Sequence, residues 1–113
     1  MVITIYRGTN LKDGENMLKG IFNNISWWTN DYETVEHYYE GCVLELTIRI
    51  NENEKMNYIC EDINIKNYTF GYSEMLYPEG AIWYSISSEY LNNYKLSIKE
   101  IAIEDIVNRR INN

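Results

Sequence analysis

The residues with the types and spacing to do chemistry are few. Arg7 and Gly8 close the opening segment VITIYRG, whose alternation sets Arg7 on the same face as Ile3 and Ile5, at the margin of a core. A guanidinium there requires an anion. Its planar fork suits a carboxylate or phosphate on a ligand, or one of the chain's own 17 acidic residues. Gly8, lacking a Cβ, lets a ligand or another stretch of backbone come close. Trp27 and Trp28 are neighbours in a short extended piece, so one indole enters the core while the other faces a cleft or solvent, where it can stack on a flat ring. Glu79 stands between Pro78 and Gly80, just ahead of a strand. That constrained turn either presents the carboxylate to a cleft or leaves it solvated.

Other chemistries are set aside by what the chain lacks. His37 is the single histidine, mid-helix between Glu33 and Glu40; it reads as an exposed helix-face group and rules out any mechanism needing a histidine pair. Cys42 and Cys60 are far apart, form no CxxC, and read as reduced packing residues, so no metal site is expected. A glycine-rich phosphate loop, a paired-glycine dinucleotide fingerprint and a Ser/His/Asp arrangement are all missing. The net charge of −7 argues against direct nucleic-acid binding and against a basic membrane-surface helix, and suits a partner that is itself basic. No apolar run approaches the roughly 20 residues of a membrane span, and a strand-like segment follows Met1 directly, so a cytoplasmic protein is expected. The 11 tyrosines point to an aromatic-lined surface or cleft.

These residues must be held by a small set of elements. After the first strand, LKDGENMLKG from residue 11 reads as a short helix with Leu11 and Leu18 seven apart and Gly20 as its stop. A loop over 21–24 leads to the extended piece at 26–29. Asn30 caps a second helix, with Tyr32, Val35 and Tyr39 as its buried stripe and Gly41 as its end. CVLELTIRI is the clearest strand: Cys42, Leu44, Leu46, Ile48 and Ile50 on one face, Glu45, Thr47 and Arg49 on a face partly in water. Residues 56–75 read as a strand or irregular segment and then a loop. AIWYSIS at 81–87 is a strand with Ile82, Tyr84 and Ile86 opposite Trp83 and Ser85, and 88–93 is a turn or single helical turn. In YKLSIKEIAI the apolar parity changes, which predicts a bulge near Lys99 and Glu100. A C-terminal helix over 104–111 ends in Arg109 and Arg110, favourable for its dipole. The order predicts a single α+β domain over the 113 residues, with a mainly antiparallel split sheet and two or three short helices.

Taken in order, the pieces resemble the ADP-ribosyltransferase fold. The likeness is carried by Tyr6-Arg7-Gly8-Thr9 at the end of the first strand and by Ser26-Trp27-Trp28-Thr29 leading into a helix with Tyr38 and Tyr39. Its last part is Glu79 ahead of AIWYSIS, with LSIKEI following. That fold occurs in bacterial toxins, RNA 2'-phosphotransferase-like proteins and small phage-encoded inhibitors of host defence, including anti-CRISPR proteins. The resemblance implies NAD as cofactor. Arg7 would hold its phosphate or ribose, with Gly8 and Thr9 giving backbone contacts. Trp28 or a helix tyrosine, Tyr32 or Tyr39, would stack on a ring, and Thr29 would support the ribose. Glu79 would bond the ribose 2'-hydroxyl and stabilise the oxocarbenium-like transition state, with Glu74 and Glu89 as substitutes.

Two classes of function follow. One is a mono-ADP-ribosyltransferase modifying a macromolecular target in the cytoplasm of a bacterial host. The other is a non-catalytic acidic inhibitor that blocks a basic nucleic-acid-binding complex, with a small-nucleotide binder or sponge as a variant that uses the same cleft.

Overall fold

The computed structural model describes residues 1–50 and 82–112, together with the backbone of 60–61, 64–65 and 72–76. Its radius of gyration is 13.5 Å, against about 13 Å for one compact body of this length. The chain order is β1 (Val2–Asn10), α1 (Leu11–Leu18), β2 (Ile25–Thr29), α2 (Tyr32–Tyr38), β3 (Gly41–Arg49), β4 (Cys60–Glu61), β5 (Asn64–Ile65), β6 (Tyr72–Leu76), β7 (Ile82–Ser87), α3 (Ser88–Tyr94), β8 (Lys95–Ile101) and α4 (Ile103–Ile111). Strands β4 and β5 pair as a small two-stranded sheet of their own.

The main sheet is antiparallel throughout, in the order β6-β7-β2-β1-β3-β8. Its seams are unequal. β1 and β3 are in register from Val2↔Arg49 to Asn10↔Gly41, whereas β1 and β2 share the single pair Tyr6↔Thr29. Beyond Tyr6 no further β1–β2 register pair forms, so Arg7, Gly8 and Thr9 lie along the unpaired part of the seam between two half-sheets.

Both faces of the sheet are covered. On one, Met17 of α1 and Tyr90 and Leu91 of α3 pack on Ile5, Trp28, Leu44, Leu46, Ile48 and Ile86. On the other, Val35 of α2 and Ile106 of α4 pack on Tyr6 and Val43. The first face is the larger core because Cys42, Leu44, Leu46 and Ile48 of β3 all point to it, with Val43 alone of its buried residues on the other. The cover on the second face is partial, so it is partly in water as expected: α2 and α4 lie over Tyr6 and Val43, while Glu45 and Thr47 are half-buried and Arg49 is exposed.

Local chemistry explains the helices and the differences from expectation. Asn10 caps α1, its Oδ1 accepting from Asp13 N at 2.7 Å. The side of α1 that is buried is Gly14 and Met17, while Leu11 and Leu18 are exposed. Asp31, not Asn30, caps α2 by accepting from Thr34 N. Of the expected stripe only Val35 is fully buried, and Tyr39 lies beyond the helix as its C-cap. Among the described residues helices number four rather than two or three, because Ser87 accepts from Tyr90 N and caps α3, a seven-residue helix where a turn or a single helical turn is expected. Tyr72–Leu76 is a strand, not a loop. The register shift in β8 falls opposite Thr47 and Ile48, not at Lys99 and Glu100. Ile98 and Ile101 face opposite sides simply because each side has a core to enter.

Candidate functional site

Arg7 bridges the unpaired seam. Its Nε donates to Asp13 Oδ2 at 3.1 Å, and its Nη1 donates to the carbonyl of Trp27 on β2 at 3.1 Å. The guanidinium thus ties β1, α1 and β2 together where the strands have ceased to pair. Asp13 gathers three donors. Besides Arg7 it accepts from Thr9 Oγ1 at 2.6 Å and from Asn23 Nδ2 at 3.3 Å. The pair is largely shielded, with side-chain exposures of 20% for Arg7 and 15% for Asp13. The remaining N–H donors of Arg7 have no partner among the described residues. Asp13 also lines an open depression of about 530 Å³ with Asn10, Lys12, Asn16 and Glu40. Of the two sequence readings of Arg7, an internal acid is therefore present, and hydrogen-bonding capacity is left over.

The close approach at Gly8 is by backbone. A Cβ there would meet the carbonyl oxygen of Val35 at 2.3 Å and Tyr39 N at 2.9 Å, so α2 ends directly against β1. Thr9 is buried and belongs to the Arg7–Asp13 cluster. Thr29 is 1% exposed, with its hydroxyl donating to the Ile82 carbonyl and accepting from Asp31 N, so it stitches β2 to β7. Trp28 is the core indole: it is fully buried and donates to Ser26 Oγ at 2.8 Å. The expectation that Trp28 stacks on a ligand is corrected on that ground, since a ring without exposed surface has none to offer. Trp27 is the half-buried partner, and it begins a row of edge-to-face rings running through Trp83 and Tyr38 to His37. Ser85, in register with Trp27, holds a fully buried hydroxyl without a hydrogen-bond partner among the described residues.

Tyr32 and Tyr39 are apart from Arg7. Tyr32 packs edge-on against Tyr6 at 5.6 Å, on the opposite face of β1. Tyr39 is exposed and lines a depression near Gly41, Glu100 and Glu104. Glu79, with Pro78 and Gly80, lies outside the described residues, as do Tyr58 and Ile63; Glu74 is described only as a backbone position of β6, paired with Tyr84. Glu89 is exposed in the first turn of α3.

A second charged cluster mirrors the first across β1. Arg109 of α4 donates to Tyr6 Oη at 2.7 Å and approaches Glu45 at 3.6 Å, while Lys99 reaches the same Glu45 at 3.4 Å. Arg110 pairs with Glu36 of α2. Burial pushes the Tyr6 phenol above its ordinary range although Arg109 pulls the other way. Burial also pushes the Cys42 thiol up to about 11, helped by Glu100 and then Asp13, so this thiol is no nucleophile near neutrality. Among the described residues no group of His, Cys, Asp and Glu is arranged to hold a metal ion, and no helix is long and apolar enough to cross a membrane.

Asp13 and Asn23 are the site residues that sequence reasoning missed. A trace was present: Asn10-x-x-Asp13 has the spacing of a capping box, which starts a helix there and carries Asp13 round towards the strand it follows. No protein family, curated protein or solved structure matches the chain.

Proposed function

We propose that the chain binds a nucleotide at the seam between β1 and β2 and acts as an NAD+-dependent mono-ADP-ribosyltransferase on a macromolecular target, as an inhibitor of host defence would. The observation that carries this reading is the split in the sheet at Arg7. A single residue pair joins the half-sheets there, and an incompletely engaged guanidinium stands just beyond it. Spare donors in a shielded position are what a diphosphate or ribose requires.

In this reading NAD+ is the substrate. Arg7 orients its diphosphate. Glu79 stabilises the positive charge that develops on the ribose as its bond to nicotinamide breaks, neutral nicotinamide leaves and a nucleophile of the target attacks. The test is nicotinamide release from NAD+ with and without lysate, beside calorimetric binding, for wild type, Arg7→Ala and Glu79→Gln. Release should fall by about a hundredfold in Glu79→Gln with binding retained, and binding should be lost in Arg7→Ala. Binding without release identifies a nucleotide binder or sponge. If NAD+ is neither bound nor cleaved, the reading falls. A second reading, an acidic inhibitor of a basic nucleic-acid-binding complex, is favoured by the net charge of −7; it expects inhibition to survive both substitutions.

A further inference from the structure

An arginine site built for a polyanion carries net positive charge, and this one does not. Asp13 Oδ2 is 3.1 Å from Arg7 Nε, which makes the pair neutral, and Lys12 and Glu40 offset one another on the wall of the depression that Asp13 lines. The carboxylate is also fixed. The Thr9 hydroxyl and the Asn23 amide both donate to it, and Asn10 holds its backbone N–H. Moving it aside for a ligand would cost Arg7 its anion and leave the buried Thr9 hydroxyl without its acceptor, while the exposed Asn23 amide would turn to water. An entering anion must therefore share Arg7 with a carboxylate that stays.

We infer that Asp13 is a specificity-determining residue of this cleft: a fixed counter-charge that admits a diphosphate ester carrying its own compensating cation, as NAD+ does, and disfavours a free polyanion of similar shape. The inference rests on reading the Arg7 cleft as a nucleotide site. It differs from a purely positioning role for Asp13, in which the carboxylate only aims the guanidinium and its loss weakens every ligand alike.

The test is calorimetric binding of NAD+, ADP-ribose and inorganic pyrophosphate at constant ionic strength to wild type, Asp13→Asn, Asn23→Ala and Arg7→Ala. Asp13→Asn keeps the side chain's shape and removes its charge. ADP-ribose, which lacks the nicotinamide cation, should bind Asp13→Asn about tenfold tighter than wild type, with a smaller gain for NAD+. Asn23→Ala, which loosens the carboxylate, should move the ratio the same way by a few-fold, and it covers the case in which Asp13→Asn folds poorly. An unchanged ratio, or uniformly weaker binding in both variants, overturns the inference in favour of a positioning role. Pyrophosphate bound by Asp13→Asn, but not by wild type or Arg7→Ala, with neither nucleotide bound, keeps the charge filter and removes the nucleotide reading. No anion bound by any form overturns both.

Discussion

The seam between the two half-sheets of this protein differs from the ladders within them. In the β1–β3–β8 half, a long ladder, four core-facing residues of β3 from Cys42 to Ile48 and helices on both faces hold the strands. The β2–β7 half, itself laddered from Ile25↔Ser87 to Thr29↔Trp83, is joined to it by the single pair Tyr6↔Thr29 and by Arg7, which donates to the Trp27 carbonyl. The two halves nevertheless share one apolar core, in which Trp28 and Ile86 pack with Ile5 and Leu44. What differs is the backbone seam: nine register pairs join β1 to β3 and one joins β1 to β2. A short seam releases its few amides more readily than a long ladder does.

The largest effect should come from the welded half. Leu46 is fully buried between β1 and β8, and Leu46→Ala should cost about 3–5 kcal/mol. Denaturant unfolding followed by far-UV circular dichroism checks it, with a single transition expected. A cost below about 1 kcal/mol would break the comparison. Gly8→Ala comes next. The new Cβ has no room against the Val35 carbonyl and Tyr39 N, both backbone. Either α2 or β1 must move, at about 2–3 kcal/mol. Because α2 touches both β1 and β2, its displacement should also speed amide exchange in β2 more than in β3.

How far the sequence revealed this division depends on the kind of interaction. The alternation of Cys42 to Ile50 showed the face of β3 directly, because burial on one side of a strand leaves a period of two. Where both sides are buried that period misleads: Ile98 and Ile101 looked like a bulge and are regular residues serving two cores. SEYLNNY has too few apolar residues to show a helical stripe, and α3 is fixed instead by the Ser87 cap. At the site, Arg7 was legible as a charge needing an anion. Which anion was not, because Asp13 reaches it only after the chain reverses from strand to helix. Adjacent tryptophans must face opposite ways, but alternation alone does not say that Trp28 is the inner one; its bond to Ser26 and the packing around it decide that.

The dryness of the welded half can be read from pH. Cys42 is 3% exposed, pressed under Gly14 of α1, and its thiol is pushed up to about 11 from an ordinary value of 9.0, chiefly by burial. The folded state therefore holds this proton more tightly than the unfolded chain does. Its contribution is complete below pH 9 and is lost as pH rises towards 11, by about 2 kcal/mol. Unfolding midpoints across that range should fall for wild type, and the slope should flatten in Cys42→Ala. Equal slopes would mean that water reaches the thiol.

The smallest effect sharpens the comparison most. Thr29 is buried at the join, donating to the Ile82 carbonyl at 2.9 Å and accepting from Asp31 N at 3.2 Å. Thr29→Val keeps its shape and removes both bonds. Asp31 N–H is left unpaired, while the Ile82 carbonyl retains Asn30 N at 3.4 Å. The expected loss is about 1 kcal/mol, within reach of denaturant unfolding but modest beside Leu46→Ala. Its location should be distinctive. Amides of β2 and β7 near the join should exchange faster, while those of β3 opposite β1 change only by the global amount, because nothing in the β1–β3 ladder depends on Thr29. Uniform acceleration throughout would show the two halves to be one cooperative unit, and the unpaired seam at Arg7 to be a feature of shape without independent movement.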